Sequence, residues 1–270
     1  MIYLSSFKIS DRKINNPNIY PYNVFRDKYV EPFVFSNITV FYGNNGSGKS
    51  TLLNIIANCL ELKGREYATS NSYGIVDYCS SFSAECLYSL GEDDCGNEIN
   101  IPKDSRYIKS EDILYEIKKI QQKQILSDGM EYDYVKNGMS LSEARKYRAS
   151  KKGREQEAYI QFAQEKYSNG ETSIQYFEEY LQPDDLYLLD EPEVSLSPEN
   201  QVILAEEINK LARLLQCQFI IATHSPFMLG TLNAKIYNLD TKDYDIVKWS
   251  NLENVRYFYD FFKRHEREFE

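Results

Sequence analysis

No apolar run in this 270-residue chain approaches the length of a membrane span, so a transmembrane helix is not expected. The start, Met1-Ile2-Tyr3-Leu4-Ser5-Ser6-Phe7-Lys8-Ile9, is too short and too polar for a signal peptide and reads as a first strand. Cysteine is sparse and odd in number. Cys59, Cys79, Cys86, Cys95 and Cys217 show no C-x-x-C spacing, which argues against a disulfide frame or zinc site and for free thiols in a reducing cytosol. Positive charge is also short. With 31 Lys and Arg against 41 Asp and Glu the net charge is −10, a balance that disfavours a surface coated in nucleic-acid contacts. There are only 2 histidines, and neither an internal repeat nor a low-complexity tract.

What is present is ample for a core: 42% of residues are hydrophobic, and 23 are Tyr. The length suits one large domain or a domain carrying an insertion. Residues 1–62 and 182–270 alternate strand and helix and are expected to form an α/β core. The segment between them, 63–181, changes character. It holds a polar loop at 91–97, a helix capped by Ser110 with Ile113, Leu114, Ile117 and Ile120 on one face, and a capping box Ser140-Leu141-Ser142-Glu143 opening another helix. A mostly helical inserted subdomain is expected there.

The most specific signal lies at residues 43–50, Gly-Asn-Asn-Gly-Ser-Gly-Lys-Ser, which fits G-x-x-x-x-G-K-[ST]. A β-branched and aromatic run, Phe35-Ser36-Asn37-Ile38-Thr39-Val40-Phe41-Tyr42, precedes it as a strand. Leu52, Leu53, Ile55, Ile56 and Leu60 follow at helical spacing. Strand, Gly-rich loop and helix are the parts of a phosphate cradle. Gly43, Gly46 and Gly48 let backbone amides curl around phosphate oxygens, and the helix start adds unpaired amides and partial positive charge. Asn44, Asn45, Ser47 and Thr51 complete the candidate nucleotide-binding set. Lys49 can reach the outer phosphates, and Ser50 can ligate magnesium. A Gly-rich turn with a chance lysine is the plainer alternative, and the strand-loop-helix setting argues against it.

Three further segments narrow the chemistry. Leu188-Leu189-Asp190-Glu191-Pro192 ends an apolar strand with two carboxylates. There Asp190 can hold magnesium and Glu191 can polarise a water for in-line attack. Ile221-Ala222-Thr223-His224-Ser225-Pro226 ends the next strand, where His224 is placed to contact a γ-phosphate. Upstream, Ser168-Asn169-Gly170-Glu171 begins a helix and forms an anion site, although by itself it reads as a capped turn.

This ordered set resembles the ABC-type ATPase superfamily. Residues 43–50 look like Walker A, 168–171 like the signature motif, 186–191 like Walker B, and His224 like the switch histidine. Asp-Glu-Pro-Glu at 190–193, Leu-Ser-Pro at 196–198 and Ala-Thr-His-Ser-Pro at 222–226 resemble the soluble SMC, RecF and OLD-like branch, including small stand-alone bacterial AAA-family ATPases. The resemblance implies a P-loop NTPase head with a mixed or parallel sheet and an inserted helical subdomain. It implies that ATP and Mg2+ are bound and ATP hydrolysed, with Lys49, Glu191 and His224 catalytic and Ser50 and Asp190 on the metal. In that superfamily two ATPs are sandwiched between two heads. Ser168, Asn169, Gly170 and Glu171 of one copy would then complete the site of the other, in a cytoplasmic homodimer without membrane contact.

The same resemblance implies a role in DNA maintenance or defence, driving or gating a separate effector chain, since no nuclease domain fits after His224. Two other readings stay open: the ATP-binding subunit of an ABC transporter, and a nucleotide-gated scaffold that does not hydrolyse. The chain departs from the pattern in two places. No Q-loop glutamine follows residues 74–78, leaving Ser81 or a neighbour to serve, and Ser197 stands where the D-loop often has Asp. Tyr20, Tyr22 and Phe25 are candidates to stack on adenine.

Two surfaces remain. Arg145, Lys146, Arg148, Lys151, Lys152 and Arg154 form a basic cluster without an acid among them. It could meet nucleic-acid phosphates or an acidic partner, or be a solvated helix face. The aromatic run Tyr257-Phe258-Tyr259-Asp260-Phe261-Phe262 is expected to pack on the sheet, with docking of a partner as the second reading.

Overall fold

The computed structural model describes residues 1–16, 18–28, 31–66, 78–112, 140–150, 152, 181–194 and 196–270. The chain divides into two compact units, Met1–Ser110 with Tyr180–Glu270, and Glu111–Glu179. Residues 63–110, assigned to the insertion from sequence, thus fall with the first unit.

In that first unit the chain runs through β1 (Leu4–Lys8), α1 (Tyr22–Phe25), β2 (Phe33–Val34), β3 (Ile38–Tyr42), α2 (Lys49–Cys59), α3 (Tyr78–Glu85), β4 (Leu87–Leu90) and β5 (Arg106–Lys109). The second unit contributes α4 (Leu141–Ala149). The first unit then resumes with β6 (Leu186–Asp190), α5 (Pro198–Leu214), β7 (Gln218–Ala222), α6 (Pro226–Thr231), β8 (Lys235–Asn238) and α7 (Glu253–Arg264).

Two sheets organise the first unit. One is five-stranded, in the order β5-β6-β7-β3-β8, and every pairing in it is parallel. The other is three-stranded and antiparallel, β2-β1-β4. The fold is α/β. All residues of β3, β6 and β7 are buried, which is why they read as continuous apolar runs with no alternation. Leu52, Leu53, Ile55 and Ile56 of α2 join Phe41, Leu188 and Ile220 in one core.

Polar side chains tie the sheets together, Tyr237 and Lys235 of β8 through the backbone of Val34 in β2, and Gln218 through the chain at β1. Gln218, fully buried at the start of β7, accepts from the Tyr3 and Leu4 amides at 2.8 and 2.9 Å. Its Nε2 donates to the Leu4 carbonyl at 2.8 Å and to that of Ser36 at 3.3 Å. All of its hydrogen-bonding capacity is used, so burial costs little.

In α5, Leu204, Ala205, Ile208 and Ala212 are inside, whereas Ile203 and, at its C-cap, Leu215 are exposed. Beyond β8, Asp245-Ile246-Val247 makes an isolated bridge, Tyr237 to Ile246. The aromatic run of α7 does not pack on the sheet: only Val255 of this helix is buried. In the second unit, Ser140 and Glu143 form the expected capping box, with Glu143 Oε2 accepting from the Ser140 amide at 3.0 Å. Arg145 and Lys146 are exposed on α4, and Lys152 is exposed beyond it, whereas Lys151 and Arg154 lie outside the described residues.

Candidate nucleotide-binding site

Parallel pairing sets the site. Phe41 pairs with Ala222, and Ala222 with Asp190, so β3, β6 and β7 end at one sheet edge. At that edge β3 releases residues 43–48, β6 delivers Asp190 and Glu191, and β7 delivers Thr223 and His224. Ligands of open α/β sheets bind at such carboxyl ends.

The loop is held in shape by its glycines and by distant side chains. Gly46 and Gly48 have φ of +85° and +94°, a region that a Cβ disfavours. A Cβ on Gly48 would also lie 2.6 Å from Val24 Cγ1 of α1. Asp240, just past β8, accepts from the Asn44 amide at 3.0 and 3.1 Å and from Asn44 Nδ2 at 3.0 Å. Asn254 of α7 donates to Asn44 Oδ1 at 3.2 Å. Lys49 is buried at the first residue of α2, and its Nζ donates to the carbonyls of Gly43 at 2.8 Å and Asn44 at 3.3 Å.

Three polar side chains converge at this loop. Glu191 sits at φ +47°, an uncommon backbone region for a residue with a side chain. Its amide still bonds the Ala222 carbonyl at 2.9 Å. Glu191 Oε1 is 3.7 Å from Lys49 Nζ and 3.4 Å from His224 Nδ1. The geometry therefore brings the three candidate catalytic residues together.

Asp190 is buried, and Tyr107 of β5 donates to its Oδ2 at 3.0 Å. Burial pushes its carboxyl up, while the hydroxyls of Ser50 and Tyr107 and the charge of Lys49 pull the other way. Its second oxygen, Oδ1, is buried without a hydrogen-bond partner. An orphaned buried carboxylate oxygen near Ser50 is the donor set a magnesium ion would satisfy, and such an ion takes few protein ligands. Among the described residues no group of three or more His, Cys, Asp or Glu could hold a metal by itself.

Glu193 was noted only as part of a motif, and the structure gives it a task. It is buried, accepts from Thr223 Oγ1 at 2.5 Å and from the His224 amide at 3.2 Å, and so fixes the turn that presents His224. Burial pushes its carboxyl up as well. Ser225 caps α6 through the Phe227 and Met228 amides, and Ser197 caps α5.

Within the first unit, then, the structure assembles the loop with Ser50, Asp190, Glu191 and His224. Residues 80–230, more than half of the chain, match the family described as "AAA domain, putative AbiEii toxin, Type IV TA system". The chain belongs to this family. No curated protein matches it.

Solved structures similar to it include the SMC head domain from Thermotoga maritima, at 12% identity over 92% of this chain and 99% of that one, TM-score 0.41. An SMC head from Pyrococcus furiosus bound to the C-terminal domain of ScpA is 13% identical over 98% and 100%, TM-score 0.44. CbiO1 from Clostridium perfringens, part of an ABC transporter complex, is 16% identical over 99% and 97%, TM-score 0.45.

Other expected residues are placed less simply in this AAA domain. Residues 168–171 and 74–77 lie outside the described residues, and Ser81 lies within α3. Of the adenine candidates, Tyr22 and Phe25 belong to the core, where both rings pack on Phe82. With Ser10, Arg12, Lys13 and Arg26 they also line a cavity of about 440 Å³. Tyr20 is exposed and its hydroxyl lies 3.4 Å from Thr51 Oγ1, next to the loop. Sequence reasoning missed Asp240 and Asn254. The only local signal for Asp240 was its place just after an apolar strand, the same signal that marked Asp190. Among the described residues no helix is long and apolar enough to cross a membrane.

Proposed function

We propose that this AAA domain hydrolyses ATP to ADP and phosphate with Mg2+, in a nucleotide-dependent homodimer. The observation that carries this reading is the position of Glu191, with its carboxylate 3.7 Å from Lys49 Nζ and 3.4 Å from His224 Nδ1. A carboxylate at that strand end can take a proton from water poised for in-line attack. Lys49 would give up its bonds to Gly43 and Asn44 for the outer phosphates, and the loop amides would cradle the remaining oxygens. Ser50 and Asp190 would hold magnesium, whose charge offsets that on the phosphates. His224, fixed through its amide by Glu193, would contact the γ-phosphate.

Residues 168–171 of a second copy would complete each site. ATP then binds the dimer better than the monomer, and hydrolysis releases it. The family description, which names a putative toxin of a type IV TA system, supports a defence role. The free cysteines suit a reducing cytoplasm.

The test is Glu191→Gln. It should bind ATP, release phosphate at least about a hundredfold more slowly, and elute as a dimer with ATP. A variant that hydrolyses at the wild-type rate, or stays monomeric with ATP, sinks the reading.

A further inference from the structure

The two carboxylate oxygens of Asp190 are not equivalent. Tyr107 donates to Oδ2 at 3.0 Å, while Oδ1 is buried without a hydrogen-bond partner. A carboxylate turns broadly about its last torsion, and a donor fixed on one oxygen removes that freedom. Register explains how Tyr107 reaches it. In the parallel pair of β5 and β6, Tyr107 lies opposite Leu188 and Lys109 opposite Asp190. Side chains two apart share a face of the sheet, so Tyr107, Lys109 and Asp190 all stand on one side.

The donor is itself firmly held. Tyr107 is 2% exposed and belongs to the core that α2 covers. Its amide bonds the Lys63 carbonyl at 2.8 Å, and its own carbonyl passes so close to Gly64 that a Cβ there would overlap it. Lys109 Nζ lies 5.5 Å from the centre of the Tyr107 ring and pairs with Glu66. The backbone of Glu66 is tied in turn to α2. Its amide donates to Asn54 Oδ1 at 2.9 Å, and its carbonyl accepts from Asn58 Nδ2 at 3.0 Å. Helix α2 opens with Lys49 and Ser50. The hydroxyl on Asp190 therefore ends a series of contacts that starts on the helix bearing Ser50.

We propose that Tyr107 makes this site selective for magnesium over calcium, by leaving Asp190 a single oxygen to offer a cation. The inference rests on the metal-binding role proposed above for Ser50 and Asp190. Magnesium demands near-ideal octahedral geometry and takes few protein ligands, whereas calcium takes about six to eight oxygens and accepts a carboxylate through both of its own. With Oδ2 committed to Tyr107, Asp190 suits the first pattern and not the second. Tyr107 is a positioning residue that acts on the cation through Asp190. A tyrosine present only to satisfy a buried carboxylate would stabilise the fold and leave the choice of cation unchanged.

The test is calorimetric titration of the full chain with the non-hydrolysable β,γ-imido analogue of ATP, in EDTA, in magnesium and in calcium. For the wild type, magnesium should tighten binding more than calcium does. In Tyr107→Phe the ratio of the two gains should fall about tenfold or more, with the affinity in EDTA unchanged. Lys109→Met takes the cation from the ring and leaves the hydroxyl. It should lower the same ratio by less, and it carries the test if Tyr107→Phe does not fold. A wild type that gains as much from calcium as from magnesium overturns the proposal. So does an unchanged ratio in the folded variant, or an equal loss in EDTA, magnesium and calcium. A wild type that gains nothing from either cation instead sinks the metal reading on which the proposal rests.

Discussion

Replacing Gly48 by Ala separates two costs that the nucleotide loop imposes on its sequence. At φ +94° an alanine pays the left-handed penalty of about 1–2 kcal/mol. Its Cβ would also lie 2.6 Å from Val24 Cγ1 and 3.4 Å from Phe25 Cε1, and crowding of that kind adds about 1–3 kcal/mol. Gly46 supplies the control, since it has φ +85° and nothing within 4 Å of its would-be Cβ. Gly46→Ala should therefore cost about 1–2 kcal/mol, and Gly48→Ala about 2–5 kcal/mol. Urea unfolding at constant slope measures both, and ATP titration follows the same variants. Removing the obstructing methyls with Val24→Ala in the Gly48→Ala background should recover about 1–2 kcal/mol. Equal losses at Gly46 and Gly48, or a Val24→Ala change that adds to the loss, would refute the claim that α1 restricts residue 48.

Gln218→Leu leaves the amides of Tyr3 and Leu4 without their buried acceptor and should cost about 2–6 kcal/mol in chemical denaturation. Asp240→Ala frees Asn44. ATP affinity should fall about tenfold in calorimetric titration while the melting midpoint drops only slightly, with unchanged affinity counting against the brace. The carboxyl of Asp190 is raised by burial, so it takes up a proton at a higher pH than an ordinary Asp. Magnesium-dependent ATP binding should weaken as pH falls through that raised pKa, and Asp190→Asn should flatten the profile. The sign for stability is opposite. The folded state binds this proton more tightly than the unfolded chain, so the Asp190 contribution favours folding at low pH and is lost as pH rises through the folded pKa. Urea midpoints of wild type and Asp190→Asn across that range check it.

Much of the site was legible because its chemistry is local. A strand, three glycines and a lysine within a few residues specify a phosphate loop, and apolar strands ending in Asp190-Glu191 or Thr223-His224 mark sheet edges. Side chains that act across the fold were less legible. Asp240 is 196 residues from Asn44, and Gln218 is 215 from Tyr3, and neither stands in a pattern that names its partner. The apolar spacing of α5 is compatible with more than one buried face, and only packing puts Leu204 and Ile208 inside and leaves Ile203 exposed. The aromatic run of α7 was misplaced for a related reason. Hydrophobicity says that a surface favours burial, not that its own chain buries it.

The sequence by itself pointed to a phosphate loop at residues 43–50, and to Asp190, Glu191 and His224 at the ends of apolar strands. These follow from backbone freedom, residue chemistry and order along the chain. Only the tertiary structure decided that those strand ends meet, with Glu191 between Lys49 and His224. It also decided that Asp240 and Asn254 brace the loop and that the aromatic band of α7 faces solvent. Contacts between residues hundreds of positions apart depend on strand order and register, and those are settled by the packing of the whole chain.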